Sequence, residues 1–81
     1  MITLYYLHIH ITGAPSALLM HYYTDKQTAN NGYSAAVALV DSLNADVPLW
    51  AGCRWYCVMD TIIDGAVSYT ASHPTNNLPI R

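Results

Sequence analysis

Three of the four histidines in this chain fall in its first 21 residues, at His8, His10 and His21. Imidazole changes charge near neutral pH and is the commonest transition-metal ligand, so three of them in one short stretch could do chemistry if the backbone brings them together. The pattern around them is that of strands. Ile2 to Thr12 alternates, with Tyr5, Leu7, Ile9 and Ile11 on one face and Leu4, Tyr6, His8, His10 and Thr12 on the other. Ala17 to Thr24 alternates too, Leu18, Met20 and Tyr22 against Leu19, His21 and Tyr23. Matching the two apolar sets across a four-residue loop at Gly13 to Ser16 pairs Ile9 with Met20 and His8 with His21. Directly opposed side chains lie roughly 5 Å apart, so His8, His10 and His21 are expected on one patch, flanked by Tyr6 and Tyr23.

Three neutral imidazoles so placed could meet one Zn²⁺ at about 2.1 Å, leaving a fourth position for water or for Asp60. The plainer expectations for the same patch are a surface for a partner or small ligand, or a row of solvated histidines. No cofactor is otherwise implied, and zinc on His8, His10 and His21 is the one metal expectation. The two cysteines, Cys53 and Cys57, lie about 13 Å apart if they are on one strand, beyond disulfide reach, and read as a buried thiol pair.

A second spacing pairs His10-Ile11-Thr12 with His73-Pro74-Thr75. Two His-x-Thr elements resemble the signature of the two-histidine phosphoesterases. The resemblance implies acid–base work by His10 and His73 on a phosphodiester, with each threonine hydroxyl on the phosphate. It covers six residues, and a proline stands in the middle of the second element. No Ser/His/Asp arrangement or glycine-rich phosphate loop accompanies it, so the chain reads as a non-enzyme, with a small phosphodiesterase as its third functional reading.

The elements that must position these residues follow in order. Thr24 with Gln27 has the form of a capping box, Asp25 adds a carboxylate to the first turn, and a helix should start there. Ala29, Tyr33, Ala36, Val37, Val40 and Leu43 recur at helical spacing through the turn-like cluster Asn30-Asn31-Gly32, and Pro48 marks the end. Leu49 to Ile63 should contain a third strand, with a possible bulge at Gly52; Asp64-Gly65 is a hairpin signal and Ala66 to Ser72 the returning strand. If Trp55 points to the core, Arg54, Tyr56 and Asp60 join the histidine face. Pairing Ile63 with Ala66 would put Val67, Tyr69 and Ala71 there as well. The expected fold is thus α+β, a small two-layer domain of order β-β-α-β-β, with one helix on a mainly antiparallel sheet over residues 1–72 and an irregular tail over 73–81.

Composition bounds the function. A single small domain of this length buries about 60–65% of its unfolded surface. Apolar residues make up 53% and charged residues 10%, too few charges to cover the surface, so an exposed patch is expected and with it a protein partner or a homo-oligomer. Seven tyrosines and no phenylalanine point the same way. Three Lys/Arg cannot supply the phosphate neutralisation that nucleic-acid binding needs. No signal-peptide pattern and no long apolar run stand out, which reads as a soluble cytoplasmic protein without a membrane partner. The leading expectation is a protein-interaction module binding through Tyr6, His8, His10, His21, Tyr23, Arg54, Tyr56 and Asp60, or through a free sheet edge. Its size and lack of motifs fit small inhibitors that phages and mobile elements direct at host proteins, the anti-CRISPR and anti-defence type, acting in the host cytoplasm. The alternative is a metal- or small-ligand-binding domain centred on the histidine cluster.

Overall fold

The computed structural model describes residues 1–48 and 52–74. It contains β1 (Thr3–Ile11), β2 (Leu19–Tyr23), α1 (Lys26–Asn44), β3 (Trp55–Ile63) and β4 (Ala66–His73), the expected β-β-α-β-β order. The strands form one antiparallel sheet of order β2-β1-β3-β4, so β2 and β4 are its edges and β1 and β3 its centre. One helix covers one face, which makes this an α+β domain of two layers. The expected start of the third strand at Leu49 lies outside the described residues, as does the tail from 75 to 81. His73, expected in that tail, is the last residue of β4, and a cis peptide bond joins it to Pro74.

The core forms where the helix crosses the two central strands. Leu7 and Ile9 from β1, Cys57 and Met59 from β3, and Ala29, Ala36 and Val40 from α1 make one buried cluster, with Tyr5, Tyr23, Tyr33, Val37 and Trp55 packed around it. Small residues at Ala29 and Ala36 let the helix approach the sheet closely. Leu43, expected with them, is exposed. The turn-like Asn30-Asn31-Gly32 does not break the helix, and Gly32 has a packing reason to be there: a Cβ on it would sit 2.6 Å from Tyr23 Cζ. The N-cap is one residue later than the capping-box pattern suggests. Asp25 caps the helix, its carboxylate accepting from the backbone N–H of Thr28 at 2.8 Å and from its hydroxyl at 2.9 Å. These two hydrogen bonds from Thr28 make Asp25 the cap instead of Thr24, and they draw the Asp25 carboxyl below its usual pKa.

At the far end Asn44 is the one buried polar residue among the described residues. Its amide accepts from the Trp55 N–H at 2.8 Å and donates to the Trp55 carbonyl at 2.9 Å, tying the helix end to the start of β3. The β3–β4 hairpin turns on Asp64 and Gly65, both at positive φ, as the Asp-Gly pair suggested. Asp64 also accepts from the backbone N–H of Ile2 at 2.7 Å, which pins the start of β1 to the turn.

Two registers differ from the sequence expectation. β1 pairs with β2 as Tyr5 with Tyr23, Leu7 with His21, His8 with Met20 and Ile9 with Leu19, one residue away from the register that matched the apolar sets. The connection is not a four-residue loop. β1 runs on beside β3 to Ile11, Thr12 is bonded to Arg54 through both backbone and hydroxyl, and β2 begins only at Leu19. The slip turns Leu19, His21 and Tyr23 to the helix side and Met20 and Tyr22 to the open side. In the β3–β4 pairing the irregularity lies between Thr61 and Ile62 rather than at Gly52. Ile62 faces Val67 but Thr61 faces Tyr69, so Tyr69 and Ala71 go to the helix side and Thr70 and Ser72 to the open side.

Candidate functional site

On the open face β1 contributes Tyr6, His8 and His10, and β3 contributes Tyr56, Val58 and Asp60 directly opposite them. Trp55 packs against the core, so Tyr56 and Asp60 take the side expected of them. A hydrogen-bonded line crosses this face. Thr70 on β4 donates its hydroxyl to Asp60 Oδ1 at 2.7 Å, Asp60 Oδ2 lies 3.0 Å from His8 Nε2, and His8 Nδ1 lies 2.5 Å from His10 Nε2. The network assigns the protons. Asp60 accepts from His8 Nε2–H, which leaves the lone pair of His8 on Nδ1, and His10 donates into it from Nε2.

Aromatic stacking brackets the line on both sides. Tyr6 stacks on His8 with centroids 4.6 Å apart and on Tyr22 at 4.4 Å, while His10 stacks on Tyr56 at 5.0 Å. The rings stand on alternate residues of one strand and on their opposites in the next, spacings that bring side chains within reach on one face. Burial, and then the neighbouring His8, push the His10 pKa below its usual value. Burial likewise raises that of Tyr56. The Asp60–His8 pair is only partly exposed, at 18% and 15% of its side-chain surface, so water competes little for it.

Of the eight residues expected to form the site, the structure unites five: Tyr6, His8, His10, Tyr56 and Asp60. The other three are corrected. His21 and Tyr23 lie on the helix side of β2, because the register differs by one residue; their rings pack on each other with centroids 4.3 Å apart. His21 is therefore not a third ligand beside His8 and His10. Arg54 turns to the α1–β3 connection, its Nη1 donating to the carbonyls of Val47 and Pro48. Two participants were not foreseen. Tyr22 was assigned to the buried set by its apolar alternation, and Thr70 was hidden by the β4 irregularity. A bulge after an Asp-Gly hairpin leaves no mark in the residue pattern here, so no sequence signal pointed to Thr70.

The two His-x-Thr elements do not converge. His73 faces Cys57 on the helix side, with Nε2 2.7 Å from Asp41 Oδ1, while His10 lies on the open side. Thr75 is outside the described residues. The cysteines also part: Cys57 is fully buried and Cys53 exposed, both as free thiols.

A different surface stands out at the β2 edge. Leu18, Leu19, Met20 and Tyr22 are each more than half exposed, and Leu39 on the neighbouring helix face nearly so. Between β2 and α1 runs a groove of about 220 Å³ lined by Leu7, Ile9, Leu19, Tyr23, Ala35 and Leu39. No helix among the described residues is long and apolar enough to cross a membrane. Among the described residues no three His, Cys, Asp or Glu side chains converge on one point. Comparison with protein-family models, with curated proteins and with solved structures finds no match to this chain.

Proposed function

We propose that this protein is an interaction module that binds an extended segment of a protein partner along β2, acting by occupancy rather than by catalysis. The observation that carries the reading is the concentration of exposed large apolar side chains on one sheet edge. β2 has no strand neighbour on its outer side among the described residues, and four of its five residues are exposed. Natural edge strands are usually blunted by lysine, by proline or by a covering loop. β2 carries no Asp, Glu, Lys or Arg, and its sequence, Leu19-Met20-His21-Tyr22-Tyr23, is apolar and aromatic. A segment added there would gain main-chain hydrogen bonds, and alternate side chains would meet the groove beside Leu19 and Leu39.

The open sheet face supports binding less well than the edge. Its tyrosines and histidines are already engaged with one another in stacks and hydrogen bonds, so a partner would have to break those contacts to use them. A module that takes up an extended segment of its target would block that segment stoichiometrically, a mode of action open to an inhibitor of a host protein.

Selection of a random peptide library on the purified protein tests this. The expected outcome is enrichment of extended peptides with alternating apolar residues, whose binding shifts the backbone amide resonances of β2 and is lost in Leu19→Lys. A library that enriches nothing, or peptides that bind Leu19→Lys as well as the unmodified protein, would overturn the reading.

A further inference from the structure

The geometry points to a transition-metal site on the open face, formed by His8 Nδ1 and His10 Nε2 and oriented by Asp60, that takes Cu²⁺ or Zn²⁺. It is independent of the β2 edge.

The two nitrogens already face each other at 2.5 Å. A metal at about 2.1 Å from each needs them about 3.0 Å apart at a right angle or about 3.4 Å at the tetrahedral angle, so both rings must turn off the line that now joins the two nitrogens. His8 is prepared for the change. Its Nε2–H is held by Asp60, and Asp60 is held in turn by Thr70, which fixes the tautomer with the lone pair on Nδ1. A ligating histidine characteristically donates its other N–H to a carboxylate in this way. His10 needs one step: its proton moves from Nε2 to Nδ1, so the ring stays neutral and no net proton is released when both rings start neutral. Stacking of His8 on Tyr6 and of His10 on Tyr56 limits the ring orientations that must be fixed on binding.

Two imidazoles and no thiolate select for nitrogen-preferring ions, copper above zinc by the usual order of divalent affinities, and against Mg²⁺ or Ca²⁺. Since no third His, Cys, Asp or Glu converges on the pair among the described residues, the remaining positions go to water or to the same pair on a second copy of the chain.

The test is titration of untagged protein with copper(II) chloride and, separately, zinc chloride, followed by calorimetry and by the histidine ring nitrogen resonances. The expected result is saturable binding that shifts His8 Nδ1 and His10 Nε2. His8→Ala and His10→Gln should each abolish it, Asp60→Asn should weaken it about 10–100-fold, and His21→Ala should leave it intact. A ratio of one metal per chain indicates water in the open positions and one per two chains indicates a bridged dimer; either supports the site. Binding that persists in His10→Gln with an unchanged circular dichroism spectrum, or binding that His21→Ala removes, overturns it. So does absence of saturable binding of either ion to the unmodified protein.

Discussion

Two residues show how burial, more than any single neighbour, sets chemical behaviour in a domain this small. Cys57 is fully enclosed beneath the helix, and burial, with Asp41 adding to it, pushes its thiol up to about 11. Since the thiolate is the reactive form, an alkylating reagent at neutral pH should label only Cys53 on the folded protein, and both thiols once urea is added. Mass spectrometry reads this directly; two labels without denaturant would contradict the enclosed core. His10 is the converse case, a base whose pKa is lowered by burial and by the neighbouring His8. In the unfolded chain the ring titrates near its ordinary value of about 6.5. Above that pH both states are neutral and His10 imposes no penalty. As pH falls, the unfolded chain takes up the proton first, so stability declines until the folded-state pKa has been passed. Urea denaturation between about pH 7 and 5 should therefore show a loss of stability that His10→Gln reduces. Parallel pH curves for the two proteins would show that His10 is not the group responsible.

At the scale of elements, the helix and β2 meet at a contact that inverts an ordinary rule. Replacing a mid-helix glycine by alanine normally stabilises by about 1 kcal/mol. At Gly32 the new methyl would run into the hydroxyl end of the Tyr23 ring, which is half-buried against the core. Gly32→Ala should therefore destabilise, by about 1–3 kcal/mol as overpacking does, and in a Tyr23→Leu background the same change should become stabilising. Thermal melts of the four proteins decide it; a stabilising Gly32→Ala in the native background would mean the ring yields freely. This contact also explains what could be read from the sequence and what could not. The order of elements, the long helix and the Asp-Gly hairpin were legible because each rests on local signals of periodicity or turn chemistry. So was the company of Tyr6, His8 and His10, which share a strand, and of Tyr56 and Asp60 once Trp55 was assigned inward. The β2 register was not. The alternating set Leu18, Met20 and Tyr22 argues for one parity, but the space opposite Gly32 takes the bulk of Tyr23, and β3 retains Ile11 and Thr12. Both causes are tertiary. The irregularity between Thr61 and Ile62, which brings Thr70 to Asp60, is equally invisible to alternation.

For the molecule as a whole, the placement of one helix over four strands distributes stability unevenly. The helix contributes Ala29, Ala36 and Val40 to a core whose strand residues come from β1 and β3. β2 adds only the partly buried Tyr23, and its other residues are exposed. Local opening costs least where few apolar contacts are lost, and binding segments are commonly drawn from that end of the scale. Native-state hydrogen exchange should accordingly rank the strands. Amides of Leu7, Ile9, Cys57 and Met59 that are bonded within the sheet should exchange only through global unfolding, with opening free energies that track urea sensitivity. Those β2 amides bonded to β1 should open locally, with little urea dependence and at lower cost. A peptide bound along β2 should then slow the β2 amides selectively, because it supplies that strand with a second neighbour. If β2 exchanges together with β1 and β3 in the free protein, the domain opens as one unit and the edge is rigidly preformed. A bound peptide would then raise protection across all four strands, and the contrast between the two patterns separates docking on a loose edge from docking on a fixed one.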